Sequence, residues 1–256
     1  MLSSLPPEIL DLILDYIRDE RTTLKACCVI SKPWIQRTRR HLFARVEFHA
    51  PKSHIKRWKQ TFPDPSNSPA HHARYLFIYG LSVITTADAD VGGWIRTFHN
   101  VVHLHLQPFG SEDHQVSLVP FHGLAPNLRS LHLTFTSSEV LDLISTFPLL
   151  EDLALVSLGS GSDAWNIPST SPKLTGTLQL RASGTIRHVA RQLVGLPGLH
   201  FTKIKISYLH EDVESIKDLV SKCSNTLKSL DIRYRAPSVF RFSFYERPMT
   251  YRHQQM

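Results

Sequence analysis

Cysteine is scarce in this chain: Cys27, Cys28 and Cys223 are the only three among 256 residues. Two are adjacent and the third lies far downstream, so neither a disulfide framework nor a metal-ligand spacing can be built from them. They are expected to be buried apolar thiols in a reducing compartment. Glycine is sparse as well, 11 residues in all, which excludes collagen-like and glycine-rich low-complexity chains. No run of 18 apolar residues exists, so no bilayer-spanning helix is expected. Glu8, Asp11 and Asp15 interrupt the only apolar stretch near the start, and no basic region precedes it, so no secretory leader is expected. Together these features predict a cytoplasmic and/or nuclear protein.

Recognisable catalytic patterns are missing too. His99 and His103 have the spacing of a zincin helix but lack its general-base glutamate, and they run into a strand pattern. Gly159, Ser160 and Gly161 lack the strand–turn–helix context of a nucleophile elbow and a phosphate-loop lysine. Cys27 and Cys28 fall on the apolar side of a helix, where a thiolate is disfavoured. Glu151-Asp152 and Glu211-Asp212 are neighbours in sequence rather than converging carboxylates. The expectation is a non-catalytic protein with no metal site and no cofactor.

What is present describes an ordinary globular chain, 42% hydrophobic and 20% charged. The net charge is +7 and the pI about 9.4. That charge is concentrated in residues 31–60. Lys32, Arg37, Arg39, Arg40, Arg45, Lys52, Lys56, Arg57 and Lys59 face Glu47 alone there. Pro51, Pro63, Pro65 and Pro69 follow in a Ser/Asn/His-rich setting, and prolines remove amide donors and interrupt helices. Residues 61–72 are therefore read as a linker or long loop, with His71 and His72 exposed; what precedes it is helical in pattern, and the basic, proline-rich linker as a whole is placed at 49–72.

Downstream, a short motif recurs. Leu76-Phe-Ile78, Leu104-His-Leu106, Leu131-His-Leu133, Leu153-Ala-Leu155, Leu178-Gln-Leu180, Ile204-Lys-Ile206 and Leu230-Asp-Ile232 start 28, 27, 22, 25, 26 and 26 residues apart. Alternation with period 2 predicts a short strand with one buried face at each. Helical patterns fill several intervals: residues 91–98, 138–144 with Ser138 as cap, 185–194, and 211–223 with Val213, Ile216, Leu219 and Val220 in phase. The interval 163–172 is expected to be irregular. One strand and one helix per unit cannot bury an apolar face alone, whereas stacked units make a continuous core. Residues 73–233 resemble the irregular, strand–helix type of the leucine-rich-repeat family. After Ile232 no further helical half-unit follows. Val239 to Tyr245 alternates, and Phe240, Phe242 and Phe244 are candidates to cover the last apolar face.

The first 45 residues differ. Residues 5–18 carry one narrow polar stripe, Glu8, Asp11, Asp15 and Arg18, and are otherwise apolar. Pro6 and Pro7 suit a first helical turn. Such a wide apolar arc exceeds what a three-helix module can hide, which implies a second surface against it. A second helix is expected after Thr22 and Thr23 as caps, with Leu24, Cys27, Cys28 and Ile30 inward. A third is expected from Pro33, with Trp34, Ile35, Leu42 and Phe43. The series Leu5-Pro6-x-Glu8-Ile9, Ile13, Tyr16-Ile17, Leu24, Cys27, Ile30-Ser31-Lys32-x-Trp34 and Leu42-Phe43 resembles the F-box motif. Ile30 stands where valine is usual, and a cysteine pair precedes it.

This resemblance implies a module that docks on the Skp adaptor and, through it, on the cullin of a Skp–cullin–F-box ubiquitin ligase. It implies a docking set of Leu5, Pro6, Ile9, Leu10, Ile13, Leu24, Ile30 and Trp34. The fold class expected is α+β: a helical module over residues 1–48, the linker 49–72, a leucine-rich-repeat α/β solenoid of about seven strands over 73–235, and a tail or cap over 236–256. Residues between the strand leucines are expected on a concave face in two rows: Phe77, His105, His132, Ala154, Gln179, Lys205 and Asp231, then Tyr79, Gln107, Thr134, Val156, Arg181, Ser207 and Arg233. The substrate site is expected on this face at Phe77, Tyr79, His105, Gln107, His132, Thr134, Gln179, Arg181, Lys205 and Arg233. The protein is thus expected to be the substrate-recognition subunit of such a ligase. Two alternatives stand beside this. One is a nucleic-acid binder using the basic third helix, Arg37 to His41, with Lys52, Lys56, Arg57, Trp58 and Lys59. The other is a non-degradative F-box scaffold.

Overall fold

A computed structural model describes residues 5–30, 32–49, 51–80, 93–107, 118–124, 127–134, 140–157, 172–182, 186–208 and 212–234. Three helices come first: α1 (Pro7–Tyr16), α2 (Arg21–Cys27) and α3 (Lys32–Leu42). Pro7 is the first helical residue of α1, and Pro6 before it lends its carbonyl to the amides of Ile9 and Leu10. Leu14, Leu24 and Cys27 form a small closed core, with Ile17, Trp34 and Leu42 packed against it. Arg37 of α3 pairs with Asp11 and donates to the Pro7 carbonyl at 3.2 Å, so the third helix is tied to the first along its polar stripe. The start of α2 differs from expectation. The helix begins at Arg21, so Thr22 and Thr23 lie within it, and the Thr23 hydroxyl donates to Glu20 at 2.9 Å instead of capping.

Then the chain enters a parallel sheet, with eight strands among the described residues laid down in chain order. They are β1 (Arg45–His49), β2 (Tyr75–Tyr79), β3 (His103–Gln107), β4 (Ser130–Leu133), β5 (Asp152–Ser157), β6 (Thr177–Ala182), β7 (Lys203–Tyr208) and β8 (Ser229–Tyr234). The chain is α+β. The seven apolar motifs align without slip. Leu76, Leu104, Leu131, Leu153, Leu178, Ile204 and Leu230 sit opposite one another from strand to strand, and the partner residues two positions on do the same. A one-residue slip would turn every leucine outward, so burial of one face fixes the register. From β2 to β7 none of these inward residues is more than 2% exposed. Each such side chain contributes on the order of 2 kcal/mol of transfer free energy.

Strand entry follows a repeated device. The carbonyls of Ala44, Arg74, Val102, Arg129 and Thr202, each at a strand's threshold, accept two consecutive amides of the next strand. Asn100 and Asn127 reach back with side-chain amides to the carbonyls of His71 and His99 in the preceding unit. Helices α5 (Val140–Ser145), α6 (Arg187–Val194) and α7 (Val213–Lys222) lie against the inward face, burying Leu141, Leu143 and Ile144, then Val189, Ala190 and Leu193, then Ile216 and Leu219. At β8 the pattern ends among the described residues: Leu230 is 45% and Ile232 42% exposed.

Three expectations change here. Among the described residues the sheet has eight strands against the expected seven or so, because Val46-Glu47-Phe48 pairs with Leu76-Phe77-Ile78 as β1. The boundary placed at residue 48 therefore falls inside a strand. The segment 49–72 is not a linker but α4 (Pro51–Thr61) followed by two 3-10 turns, Pro65–Asn67 and Pro69–His72. Pro51 is the first residue of α4, where a missing amide breaks nothing. Ile55 and Ala70 belong to the main core, Trp58 packs against it, and His71 and His72 are half-buried. Phe43, Phe48, Trp58, Phe62, Trp94 and Phe98 meet ring against ring at 4.8–6.1 Å. This cluster welds the end of α3, β1, α4 and the helical turn of residues 93–98 together. Val91, Ser138, Thr185, Glu211, residues 159–171 and the alternating tail with Phe240, Phe242 and Phe244 lie outside the described residues. No described helix is long and apolar enough to cross a membrane.

Candidate functional site

Two surfaces concentrate unusual chemistry. The first is on α1. At 3.6 residues per turn its side chains divide into three stripes. Leu10, Leu14 and Ile17 face the module core, and Glu8, Asp11 and Asp15 form the polar stripe. Ile9, Leu12, Ile13 and Tyr16 form a second apolar stripe that faces out, with Leu12 64% and Tyr16 92% exposed. Leu5 and Pro6 extend it at one end, and Val29 and Ile30, in the turn after α2, add further exposed apolar surface. Isolated exposed leucines are ordinary, but a continuous helical stripe of them is not. The expected docking set therefore splits. Leu5, Pro6, Ile9, Ile13 and Ile30 are exposed, whereas Leu10 and Leu24 are buried. Trp34 is half-buried against the Leu14–Leu24–Cys27 core.

The second surface is the face of the sheet opposite the core. Its residues fall in three rows, one more than the two expected. The middle row runs Glu47, Phe77, His105, His132, Ala154, Gln179, Lys205, Asp231. One flanking row carries His49, Tyr79, Gln107, Val156, Arg181, Ser207 and Arg233, with Thr134 just beyond β4. The other begins Arg45, Tyr75, His103, Ser130, Asp152 and includes Thr177, Lys203 and Ser229. That third row was legible: the period-2 alternation extends one step before each leucine, to Tyr75, His103 and Lys203. Arg45 and His49 were not, because β1 itself was not expected.

Parallel strands lie about 4.8 Å apart, close to the separation of stacked rings. In-register rings on neighbouring strands accordingly stack: Tyr75 on His103 at 4.5 Å, His49 on Tyr79 at 4.6 Å and His105 on His132 at 4.0 Å, each within 8° of parallel. Phe77 tilts against His105, and the Arg45 guanidinium covers its ring at 4.4 Å. Burial pushes the His105 imidazole down to about 3, with His132 and Arg45 adding to the effect. Burial also holds His132 below its ordinary value, and the charge of Arg181 acts in the same direction. Both rings are neutral at pH 7. Neither Nε2 has a described hydrogen-bond partner, an arrangement least costly when Nε2 is the unprotonated acceptor.

Toward the other end the face becomes cationic. Arg181 and Lys203 are exposed and Lys205 is half-buried, and no ion pair joins them to a described carboxylate. The remaining charges are engaged. Arg45 pairs with Glu47, Arg233 donates twice to Asp231 at 3.2–3.3 Å, and Asp152 accepts the Thr177 amide at 2.5 Å. Of the expected substrate residues, the fold brings Phe77, Tyr79, His105 and His132 into one patch, with Arg181 close enough to act on His132. Arg233 turns its guanidinium to Asp231. Thr134 donates its hydroxyl to the Leu106 carbonyl at 3.3 Å. Trp58 sits in the aromatic cluster behind the sheet and offers no free ring for stacking.

The sequence matches no family model and no curated protein.

Proposed function

We propose that this protein is a recruitment adaptor: an F-box-like helical module docks on the Skp adaptor of a cullin-based ubiquitin ligase, and a leucine-rich-repeat-like solenoid presents the open sheet face to a protein substrate. The observation that carries this reading is the outward apolar stripe of α1, Leu5, Ile9, Leu12, Ile13 and Tyr16. Burying it against a partner helix gains free energy that water denies it, and a standard interface removes about 800 Å² per side. The Leu-Pro-x-Glu opening and the Ile-Ser-Lys-x-Trp element support the choice of partner. The sequential, single-sided sheet supports the solenoid reading, because such arrays leave one face free for binding. Catalysis would belong to the partner subunits.

The test is co-purification of the full chain with a Skp adaptor. Fragments ending near residue 60 are unsuitable, because β1 and α4 pack into the sheet core. Ile9→Asp and Ile13→Asp together are expected to abolish the complex while leaving the thermal unfolding midpoint unchanged. A complex that survives both changes would sink the proposal.

A further inference from the structure

We propose that the open face of β2–β7 binds an extended polypeptide segment with two features: an aromatic or large aliphatic side chain seated on Phe77, His105 and His132, and a pair of carboxylates about four residues further along, seated on Arg181, Lys203 and Lys205. It deepens the reading of this face as a substrate surface and rests on it.

The two ends of the face differ in kind. The β2–β4 end carries neutral rings: Phe77, Tyr79, His105 and His132, the two imidazoles being held unprotonated by burial. The β6–β7 end carries three cations that no described carboxylate neutralises, although the other charges on this face are paired or hydrogen-bonded. Between them β5 contributes only Ala154 and Val156 to the two nearest rows, a low neutral floor over which a chain can pass. From β3 to β6 is three strand spacings, about 14 Å, and an extended peptide covers that in about four residues. Carboxylates placed there meet three cations that form no ion pair with a described carboxylate, which steers association and disfavours basic segments.

The same cations beside rings could suggest single-stranded nucleic acid, but the geometry argues against it. Bases stack on ring faces. Here Tyr75–His103, His49–Tyr79 and His105–His132 use their faces on one another across strands, so the rings stand upright and offer edges. Ring edges suit edge-to-face contact with an aromatic side chain.

The experiment pans a random dodecapeptide library displayed on phage against the full-length protein. It is repeated with Arg181→Glu plus Lys205→Glu and, separately, with Phe77→Ala, each checked for an unchanged unfolding midpoint. The expected consensus is an aromatic or large aliphatic residue followed, at about four positions, by two acidic residues. Synthetic consensus peptide should bind at least tenfold more weakly to either variant, and replacing its acidic pair by lysines should restore binding to the double charge variant. Enriched peptides that lose binding to these variants but lack the acidic pair or the anchor overturn the inference and leave the substrate-surface reading standing. Enrichment indifferent to all the variants, or none, overturns both. Binding of a ten-nucleotide oligo-dT at 150 mM salt more tightly than any selected peptide overturns both in favour of nucleic acid.

Discussion

Asp212, in the turn that leads into α7, accepts the backbone amide of Arg187 at 2.9 Å and thereby caps the start of α6, one repeat earlier. The same oxygen accepts the Ile186 amide at 3.0 Å. Asp212 is fully buried, and the N-terminal end of a helix favours negative charge. Asp212→Ala leaves two amides without an acceptor and should destabilise the protein by about 2–4 kcal/mol. Asp212→Asn keeps an acceptor oxygen and should cost less than half of that. Urea unfolding of the three proteins checks the order, and equal losses for Ala and Asn would contradict the capping role.

Adjacent leucines on α1 should behave in opposite ways. Leu14 is fully enclosed in the module core, so Leu14→Ala should cost about 2–5 kcal/mol. Leu12 faces out, so Leu12→Ala should change stability by less than about 0.5 kcal/mol. Circular-dichroism melts distinguish the two. A large loss at Leu12 would mean that this stripe is covered within the chain.

Two glycines make a second contrast. A Cβ at Gly176 would run into the Asp152 carboxylate and come within 3.1 Å of the Glu151 carbonyl, and that carboxylate holds the Thr177 amide at the threshold of β6. Gly176→Ala should cost about 1–3 kcal/mol through displacement of this contact. At Gly93, in a helical turn, a Cβ meets nothing within 4 Å. Gly93→Ala should be neutral or stabilising by up to about 1 kcal/mol. Thermal melts of both variants give the comparison.

Stability should fall as the solution is acidified from pH 7.5 to 5. Burial holds His105 down to about 3 and His72 down to about 4, and it lowers His132 and His103. Below the ordinary imidazole value near 6.5, the unfolded chain takes up protons that the folded chain refuses. The unfolded state then binds more protons, so stability is complete above that value and declines as pH falls below it. One fully shifted group contributes at most about 1.4 kcal/mol per pH unit, and solvent screening around these partly buried rings reduces that. Urea titrations at pH 7.5, 6 and 5 measure the slope. His105→Gln, which removes one titrating ring facing Phe77, Tyr79, His132 and Arg45, should flatten it.

How much of this was legible differs element by element. The seven Leu-x-Leu-type pairs at near-constant spacing announce strands, because alternation buries one face of each, whereas Leu10-x-Leu12 and Leu141-x-Leu143 sit in helices with a 3.6-residue apolar period. Val46-Glu47-Phe48 offers the same alternation, but with Val and Phe in place of the leucine pair and inside a basic stretch, so it is a weaker local signal for a strand. It becomes one because β2 presents an edge beside it. Density of proline suggested a linker in residues 49–72. Each proline there instead stands at the first turn of a helix or 3-10 turn, except Pro63, and Ile55 and Trp58 supply the apolar side that holds the segment to the core.

The sequence by itself determined the repeating unit, its register and the excess of apolar surface on α1, because burial of alternate or periodic side chains is a property of the local chain. Only the tertiary structure decided which α1 residues stay outside, which imidazoles stack and lose their proton, and which cations form no ion pair with a described carboxylate. The first depends on packing of α1 against α2 and α3, and the others on neighbours some 25 residues away in sequence, brought to within one strand spacing by the sheet.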